Sequence, residues 1–277
     1  MSGPPAVEPR PRVPGSAPET DLSSLFRLDG TRALIVGGYG GIGRVTSELF
    51  VRCGAAIAIA GRSEDKAQHL AGELRANGHS AVGARVDLAD RGSAGAVVDR
   101  AAAELGGLDV LVNLAGVDLE AKAEEFSEDD WQHVLDVNLS GAFWLSQAAG
   151  QKMIEAGRGG RIIQFSSTRS VAGGRRGFAA YSASKAGVNA LVRQLATEWG
   201  PHGVTVNGVA PGFVPTELVS DALGNPQFVQ MMLRRIPFGR FGEPVEMAGA
   251  ALFFACPAAS FVTGQVLFVD GGVTASS

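Results

Sequence analysis

The sequence has little cysteine and no long apolar run. Only two of its 277 residues are cysteines, Cys53 and Cys256, which are too few for a disulfide framework and do not have the spacing of metal ligands. We therefore expect two small buried thiols, no metal site and a reducing compartment, the cytoplasm. No stretch approaches the roughly 18 consecutive apolar residues of a membrane span, so no membrane segment is predicted.

An excess of basic residues is also lacking. Lysine and arginine number 24 against 28 acidic residues, which gives a net charge of -4 at pH 7. A nucleic-acid or anionic-lipid partner would call for a basic surface, so neither is expected. The 45% hydrophobic and 19% charged residues are typical of a globular protein. Glycine is abundant, at 38 residues, which indicates sharp turns and close backbone approaches.

Proline marks the start of the chain. Six of the 13 prolines lie within residues 1–20, where large apolar side chains are scarce. Such a stretch buries too little surface to offset its ordering entropy, so we predict a disordered tail over residues 1–24, without a targeting signal. Residues 25–277 show one composition throughout and are predicted to form a single domain.

Short apolar runs alternate with longer segments of helical period from Thr31 onward. Strands that are apolar throughout, separated by helices, are typical of a parallel sheet covered on both faces. The fold class is therefore α/β, a single doubly wound Rossmann-type domain with a seven-stranded parallel sheet. The predicted strands are Ala33–Val36, Ala55–Ala60, Ala81–Val86, Val110–Asn113, Arg161–Phe165, Val204–Asn207 and Val266–Val269. The predicted helices include Ile42–Val51, Glu64–Ala76, Ala94–Leu105, Asp129–Ala156, Ser182–Glu198 and Val245–Ala255.

A glycine-rich turn joins the first strand to the first helix. Its glycines are spaced G-x-x-x-G-x-G rather than the G-x-G-x-x-G of most dinucleotide enzymes. Glycine lets the backbone approach a ligand, and a helix N-terminus offers free N–H groups to a pyrophosphate. We expect a cofactor phosphate cradle here; a simple tight turn is the alternative. Its residues are Gly37, Tyr39, Gly40, Gly41, Ile42 and Gly43.

The second strand ends in Gly61-Arg62, with no carboxylate at its end. In Rossmann folds an acidic residue there binds the ribose 2'-hydroxyl, whereas arginine accommodates a 2'-phosphate. NADP(H) is therefore favoured over NAD(H), although Arg62 could instead be a solvated strand-end residue. After the third strand, Asp87 and Leu88 are candidates to contact adenine; alternatively, Asp87 caps the following turn.

Tyr181 and Lys185 lie one helical turn apart in Tyr181-Ser182-Ala183-Ser184-Lys185. Residues at i and i+4 share a helix face, so the phenol and the ammonium are neighbours. A nearby positive charge would lower the pKa of the tyrosine towards working pH and make it a general acid or base. A lysine that snorkels beside a packed tyrosine is the alternative.

Taken in order, these motifs resemble the short-chain dehydrogenase/reductase family over roughly Leu28 to Gly272. The resemblance implies an NAD(P)(H)-dependent oxidoreductase that interconverts a ketone and a secondary alcohol. The landmarks are Gly37 to Gly43, Asp87-Leu88, Asn113-Leu114-Ala115-Gly116, Asn138, Ser166-Ser167, Tyr181 with Lys185, Pro211-Gly212 and Asp270-Gly271-Gly272.

The resemblance also implies residue roles. Tyr181 would exchange the proton of the substrate oxygen, and Ser167 would hydrogen-bond that oxygen. Lys185 would bind the nicotinamide ribose and tune Tyr181, while Asn138 would hold a water in a proton relay; a satisfied core amide or a helix kink is the alternative for Asn138. The further cofactor contacts that it implies are Asn113, Ala115, Gly116, Pro211, Gly212, Val214 and Thr216.

Some positions depart from the family pattern. Val36 stands where threonine is common, and Tyr39 replaces a small or polar residue in the phosphate cradle. Ser167 lies 14 residues before Tyr181 rather than 13, so the loop Thr168–Phe178 is predicted to carry one extra residue. Ser166 and Thr168 are the fallback candidates for the role of Ser167.

The substrate is expected over the nicotinamide, between the loop Thr168–Phe178 and the segment Phe213–Pro237. Their apolar and arginine content suits either a sugar or polyol ketone or a 3-oxoacyl thioester. The apolar residues are Phe213, Phe228, Met231, Met232 and Leu233, and the arginines are Arg175, Arg176, Arg234 and Arg235. The resemblance implies a homotetramer or homodimer assembled through the two long helices. A noncatalytic dinucleotide sensor is the rival function.

Overall fold

A computed structural model describes residues 22–174, 177–215 and 226–276. Within these ranges the chain forms a seven-stranded sheet in the order β3-β2-β1-β4-β5-β6-β7, and each neighbouring pair is parallel. This confirms the predicted doubly wound α/β fold. The strands are β1 Arg32–Val36, β2 Ala56–Gly61, β3 Ala81–Arg85, β4 Val110–Asn113, β5 Gly160–Phe165, β6 Val204–Pro211 and β7 Val266–Val269.

Helices follow most of the strands, and polar side chains cap the starts of two of them. Ser63 and Asp90 accept backbone N–H groups at the starts of two helices, as good N-cap residues do. The helices are α1 Gly41–Arg52, α2 Glu64–Ala76, α3 Arg91–Leu105, α4 Glu128–Leu135, α5 Gly141–Ala156, α6 Ala179–Trp199, α7 Pro226–Leu233 and α8 Pro244–Ala255.

Two apolar cores lie on opposite faces of the sheet. On one face, Phe50 of α1 and Leu70 of α2 pack in the same cluster as Phe254 of α8. On the other face, Val98 of α3, Leu145 of α5 and Val192 of α6 belong to a second cluster. Central strands bury side chains against both, which explains why they are apolar at every position rather than at alternate ones.

The predicted elements differ most from the observed ones in two places, and other ends shift by one to three residues, as where α3 begins at Arg91 rather than at Ala94. The strand predicted to end at Asn207 continues to Pro211, because β6 pairs with β7 up to that residue. The single helix predicted over Asp129–Ala156 is divided by a π-helical turn at Asp136–Ser140. Such turns are common at functional sites, and this one contains Asn138.

Other expectations have mixed outcomes. Cys256 is buried as predicted, Cys53 is only partly buried, and both thiols are free. Residues 1–21 of the predicted tail lie outside the described ranges, and residues 22–24 begin a short 3-10 helix, Leu22–Phe26. Across the described residues, no helix has the length and apolar character needed to cross a bilayer. The same residues contain no cluster of three or more metal-ligating side chains.

Candidate active site

The predicted functional residues meet at the carboxyl ends of the central strands. The strand order reverses between β1 and β4, which lie side by side although β2 and β3 separate them in the chain. In open α/β sheets ligands bind in the crevice at this switch point. The Leu114 N–H donates to the Val36 carbonyl at 2.8 Å, so the turns after the two strands are held together.

The glycine turn has the shape of a phosphate cradle. Gly37 has φ +78°, and a Cβ atom there would lie 3.0 Å from the Ala115 nitrogen. A Cβ atom at Gly43 would overlap the Gly37 carbonyl. Helix α1 begins after Gly40, and no side chain caps its first turn. Unpaired N–H groups at a helix start fit the pyrophosphate of a dinucleotide, which supports the predicted cofactor site.

Tyr39 covers the end of β2 next to this cradle. Its hydroxyl accepts the Ser63 N–H at 3.0 Å. A Cβ atom at Gly61 would lie 2.6 Å from that hydroxyl, so the glycine leaves the space that the ring fills. Tyr39 therefore lies at the expected adenosine end. Ile42, also predicted to contact the cofactor, packs partly against the apolar core.

The adenosine end contains one exposed arginine and one Asx turn. Arg62 directly follows Gly61 and is exposed. Asp87 Oδ1 accepts the Ala89 N–H at 3.1 Å, which is the turn-capping alternative that the sequence left open. Leu88 is buried, and a Cβ atom at Gly141 would lie 2.7 Å from its Cβ. Contacts of Asp87 and Leu88 with adenine stay a prediction.

Tyr181 and Lys185 lie on the same face of α6. The Lys185 Nζ is 5.7 Å from the centre of the Tyr181 ring and donates to the Phe165 carbonyl at 2.8 Å. Lys185 is only 4% exposed. The same face continues through the buried Val188 and Val192 as predicted. The ammonium is thus a buried cation beside the phenol, held by a backbone oxygen at the end of β5.

Burial has the largest effect on the pKa values of Tyr181 and Lys185. Desolvation raises the pKa of Tyr181 above its usual 10, and a hydrogen bond with Ser167 acts in the opposite direction. Desolvation lowers the pKa of Lys185 to about 8. We expected Lys185 to bring the tyrosine pKa below 10, but the net direction is upward. A site shielded from water disfavours phenolate, and the ammonium bonds to Phe165 instead.

Ser167 is the best placed of the three candidate hydroxyls. It is buried at the end of β5, its oxygen accepts the Arg169 N–H at 3.1 Å, and it bonds to the Tyr181 phenol. Ser166 instead donates to the Lys185 backbone carbonyl at 3.2 Å, so its hydroxyl is already bonded to the backbone of α6. Thr168 begins a 3-10 turn.

Asn138 fixes the strand-end loop beside the lysine. Its Oδ1 accepts the Val117 N–H at 2.8 Å, and its Nδ2 donates to the Val117 carbonyl at 2.8 Å and to Ser184 Oγ at 3.1 Å. The satisfied amide that was the alternative is therefore present. A Cβ atom at Gly116 would lie 3.2 Å from Asn138 Oδ1 and 3.3 Å from Lys185 Nζ, so glycine keeps this approach open.

A buried polar chain supports Asn113, and sequence reasoning missed most of it. Asn113 Nδ2 donates to Gln164 Oε1 at 2.9 Å, and its Oδ1 accepts the Ala115 N–H at 3.2 Å. Gln164 Nε2 donates to Ser146 Oγ at 2.7 Å. The chain crosses from β4 through β5 to α5. Its only signal in the sequence is a glutamine inside an apolar strand.

The loop after β6 is held against the end of β7. The Gly212 N–H donates to the Val269 carbonyl at 3.0 Å, and a Cβ atom at Gly212 would lie 2.7 Å from the Asp270 Cα. Val214 is buried. Pro211 is the last residue of β6. Thr216, Arg175 and Arg176 lie outside the described residues.

Two charged residues that the sequence analysis did not select, Asp118 and Arg169, interact electrostatically with Tyr181. Asp118 interacts electrostatically with both Tyr181 and Lys185. Arg169 stacks its guanidinium over the Phe178 ring, 4.3 Å from the ring centre. A signal was present, because Asp118 follows directly after the Asn113–Gly116 turn and Val117.

The sequence matches a known protein family over most of its length. A family profile described as Enoyl-(Acyl carrier protein) reductase matches residues 37–274. The gluconate 5-dehydrogenase of Gluconobacter oxydans is 38% identical over 255 residues, which cover 91% of this chain and 98% of that protein. The D-threitol dehydrogenase of Mycolicibacterium smegmatis is 41% identical over 258 residues, covering 93% of this chain and 98% of the relative.

A solved structure is similar over nearly the whole chain. The gluconate 5-dehydrogenase from Burkholderia cenocepacia, in complex with NADP and tartrate, superposes with a TM-score of 0.88 at 40% sequence identity. The match covers 92% of this chain and 99% of that one.

Proposed function

Because the chain belongs to the short-chain dehydrogenase/reductase family, we propose that it interconverts a secondary alcohol and a ketone on a sugar-like substrate of the polyol or sugar-acid class. The chain is an NAD(P)(H)-dependent oxidoreductase. Its similar relatives are named as dehydrogenases of gluconate and threitol, which favours this substrate class over a 3-oxoacyl thioester. The rival sensor function has no comparable support.

The observation that carries the proposal is the convergence of Tyr181, Lys185 and Ser167 beside the glycine cradle. In the oxidative direction the substrate C–H and O–H bonds break and a carbonyl forms. The bound cofactor supplies the acceptor for the hydride. In the reductive direction the neutral Tyr181 phenol gives its proton to the substrate oxygen. In the oxidative direction Tyr181 first loses that proton towards solvent and then takes the hydroxyl proton as a phenolate, while Ser167 orients the substrate oxygen by donating a hydrogen bond to it.

Lys185 and Asn138 have supporting roles in this proposal. Lys185 can exchange its bond to the Phe165 carbonyl for the nicotinamide ribose hydroxyls, because that carbonyl is the one hydrogen-bond partner of its ammonium among the described residues. Because its pKa is lowered to about 8, Lys185 can also release a proton towards solvent and then accept the one from Tyr181. Asn138 holds the Val117 backbone, so the loop that lines the substrate keeps its place.

NADP(H) is the favoured cofactor, with NAD(H) possible. Arg62 has no hydrogen bond or ion pair to another described residue, so its guanidinium can bind a 2'-phosphate. The nearby Glu64 is engaged by Arg100 at 2.8 Å. NADP is also the cofactor bound in the similar Burkholderia cenocepacia structure.

Assembly and location are also part of the proposal. We infer a homotetramer or homodimer built on the outer faces of α5 and α6. Exposed apolar side chains are consistent with self-association, including Trp131 on α4 and Leu267 on the edge strand β7. The two free cysteines suit a reducing compartment such as the cytoplasm.

The test of the proposed function is a spectrophotometric assay over matched substrates. Polyols and sugar acids are offered with NADP+, and ketoses and a 3-oxoacyl thioester with NADPH. We expect turnover of a polyol or sugar acid, and a loss of about 10²- to 10⁴-fold in kcat in Y181F. Cofactor titration of the same variant controls for folding. Full turnover in Y181F would reject Tyr181 as the proton-exchanging group.

A further inference from the structure

A loop with two carboxylates lies beside Tyr181, and its position is fixed. The residue before Asp118 is Val117, whose N–H and carbonyl both bond to the buried Asn138 side chain at 2.8 Å. Further along, the Ala121 N–H donates to the Gly177 carbonyl at 3.2 Å, just before α6. Both ends of the loop are therefore tied to the elements that carry the predicted catalytic residues.

Asp118 lies at the start of this loop, next to the part that approaches Lys185. A Cβ atom at Gly116, two residues earlier, would lie 3.3 Å from the Lys185 Nζ. The charge of Asp118 raises the pKa of Tyr181 and opposes the lowering of the pKa of Lys185. Electrostatic interactions of this kind weaken with distance, which agrees with the place of Asp118 at the start of this loop. Asp118 is also exposed. It is therefore within reach of a substrate whose oxygen contacts Tyr181.

The protonation of Asp118 depends on the groups around it. Burial and the neighbouring Glu120 raise its pKa to about 6, whereas Arg169 and Lys185 act in the opposite direction. Above about pH 6 the group is a carboxylate, which accepts hydrogen bonds and cannot donate them.

The arginine at this site already faces the two carboxylates. Arg169 is held over Phe178, and its charge interacts with those of Asp118 and Glu120. Arg235 adds a second positive charge near Arg169. A carboxylated substrate placed over Tyr181 would meet Asp118 as a like charge, whereas a hydroxyl group there would find an acceptor.

We propose that Asp118 determines substrate specificity: it accepts a hydrogen bond from the hydroxyl next to the reacting carbon and selects neutral polyols against sugar acids of the same carbon skeleton. The inference rests on the proposed dehydrogenase function and narrows its substrate class. Hydrogen bonds from a hydroxyl to a carboxylate are among the strong ones, which makes a single side chain sufficient for this preference.

The experiment compares matched substrates in the full-length enzyme with NADP+. Four- to six-carbon polyols such as threitol and galactitol are each paired with the corresponding aldonate, and cyclohexanol serves as an alcohol without a second hydroxyl. We expect the wild type to prefer the polyol of a pair by at least about tenfold in kcat/KM. D118N should lower polyol kcat/KM by about 10- to 100-fold, mainly through KM.

Two comparisons make the result specific to Asp118. In D118N, kcat/KM for the aldonates and for cyclohexanol should change much less than kcat/KM for the polyols, because a change in the pKa of Tyr181 affects all three substrate types alike. E124Q removes an exposed carboxylate from the same connection between β4 and α4, and it should leave the polyol preference intact. NADPH titration of D118N checks that the variant is folded.

The pH dependence provides a second readout. The titratable and charged groups that face Asp118 are Glu120, Arg169, Lys185 and Tyr181. As the pH falls through about 6, Asp118 becomes protonated and loses its charge, so the KM for a polyol should rise in the wild type. The same KM should stay flat in D118N.

Several results would overturn the inference. They are an unchanged polyol kcat/KM in D118N, an equal loss for all three substrate types, or a wild-type preference for aldonates. Each of these leaves the dehydrogenase function standing. Turnover of cyclohexanol but of no polyol would instead refute the proposed substrate class, and no turnover of any alcohol or ketone would refute the function itself; either result removes this inference as well.

Discussion

Lys185 is a buried cation whose charge affects the stability of the folded protein. Its ammonium is shielded from water and has one backbone oxygen as a hydrogen-bond partner. The lowered pKa means that the folded chain holds this proton less tightly than the unfolded chain does. At neutral pH the charged form of Lys185 therefore lowers the stability of the folded chain.

The first prediction concerns the pH dependence of stability. Between about pH 8, the folded pKa of Lys185, and 10.5, its usual value, the unfolded chain binds a proton that the folded chain has released. The stability of the wild type should therefore rise with pH relative to that of K185M, by up to about 1.4 kcal/mol per pH unit. Urea unfolding of the cofactor-free proteins at several pH values measures it.

K66M is the control for this series, because it removes an exposed lysine from α2. If the stability difference between the wild type and K185M does not vary over this range of pH, the pKa of Lys185 is not lowered by burial in the folded protein.

A second prediction concerns Arg62 and cofactor choice. Replacing the exposed guanidinium should weaken NADPH binding by about 10- to 100-fold and leave NADH binding nearly unchanged, because only NADPH carries the 2'-phosphate. Fluorescence titration of R62A with both cofactors measures this. R75A, at the far end of α2, is a control that should alter neither affinity. Equal wild-type affinity for both cofactors, unchanged in R62A, would contradict the assignment.

At the scale of single residues the sequence was most informative where a motif has a fixed spacing. The i, i+4 spacing placed Tyr181 and Lys185 on one face, as the structure has them. It could not give the direction of the tyrosine pKa, because desolvation depends on packing by distant segments. Asp118 was missed although it follows the Asn113–Gly116 turn, because its place near α6 also depends on the contacts of Asn138 with Val117.

At the scale of elements, the turn between β1 and α1 depends on two close backbone approaches. The Gly43 Cα lies where any side chain would overlap the Gly37 carbonyl, and Gly37 itself has a left-handed backbone against Ala115. The predicted phosphate cradle therefore needs glycine at both positions, and one added methyl group would change its shape.

Substitution in this turn gives the third prediction. In G43A the new methyl group must displace the turn, so NADPH affinity should fall by at least about tenfold and the free energy of unfolding should fall by about 1–3 kcal/mol. Titration and urea unfolding measure the two effects. G95A is the matched control, because a Cβ atom at this position of α3 has nothing within 4 Å. It should keep the affinity and gain about 0.5–1 kcal/mol. Normal NADPH binding by G43A would contradict the cradle.

Most elements could be predicted from hydrophobic periodicity, because strands buried on both faces are continuously apolar. The π-turn at Asp136–Ser140 could not, since the helical period runs through it and only the contacts of Asn138 reveal its use. The extension of β6 to Pro211 was also missed, because proline argues against a strand unless pairing with a neighbour is known.

At the scale of the whole molecule, the sheet order brings distant segments to one edge. The cradle follows β1, the Asn113 turn follows β4 and Ser167 follows β5, and these strands are consecutive neighbours in the sheet. Helix α6 then lies across the end of β5 with Tyr181 and Lys185. A cofactor that spans from Arg62 to Tyr181 would cross the sheet at its switch point.

The fourth prediction concerns assembly. If copies associate through α6, a charge on its exposed face should dissociate them, because a buried unpaired carboxylate is strongly unfavourable. A190E places a carboxylate on this exposed face, whereas A76E places one on the exposed end of α2. Light scattering during size-exclusion chromatography should show a wild-type multimer that is retained in A76E and lost in A190E. A monomeric wild type would contradict the proposed assembly.

The most direct test is a crystal structure of the protein with NADPH and a bound alcohol or ketone. The account predicts the diphosphate at the start of α1 and the nicotinamide ring beside Tyr181. The Tyr181 and Ser167 hydroxyls should both lie within about 3 Å of the substrate oxygen, and Lys185 should contact the nicotinamide ribose. A nicotinamide ring bound away from Tyr181, or a substrate oxygen that contacts neither hydroxyl, would contradict it.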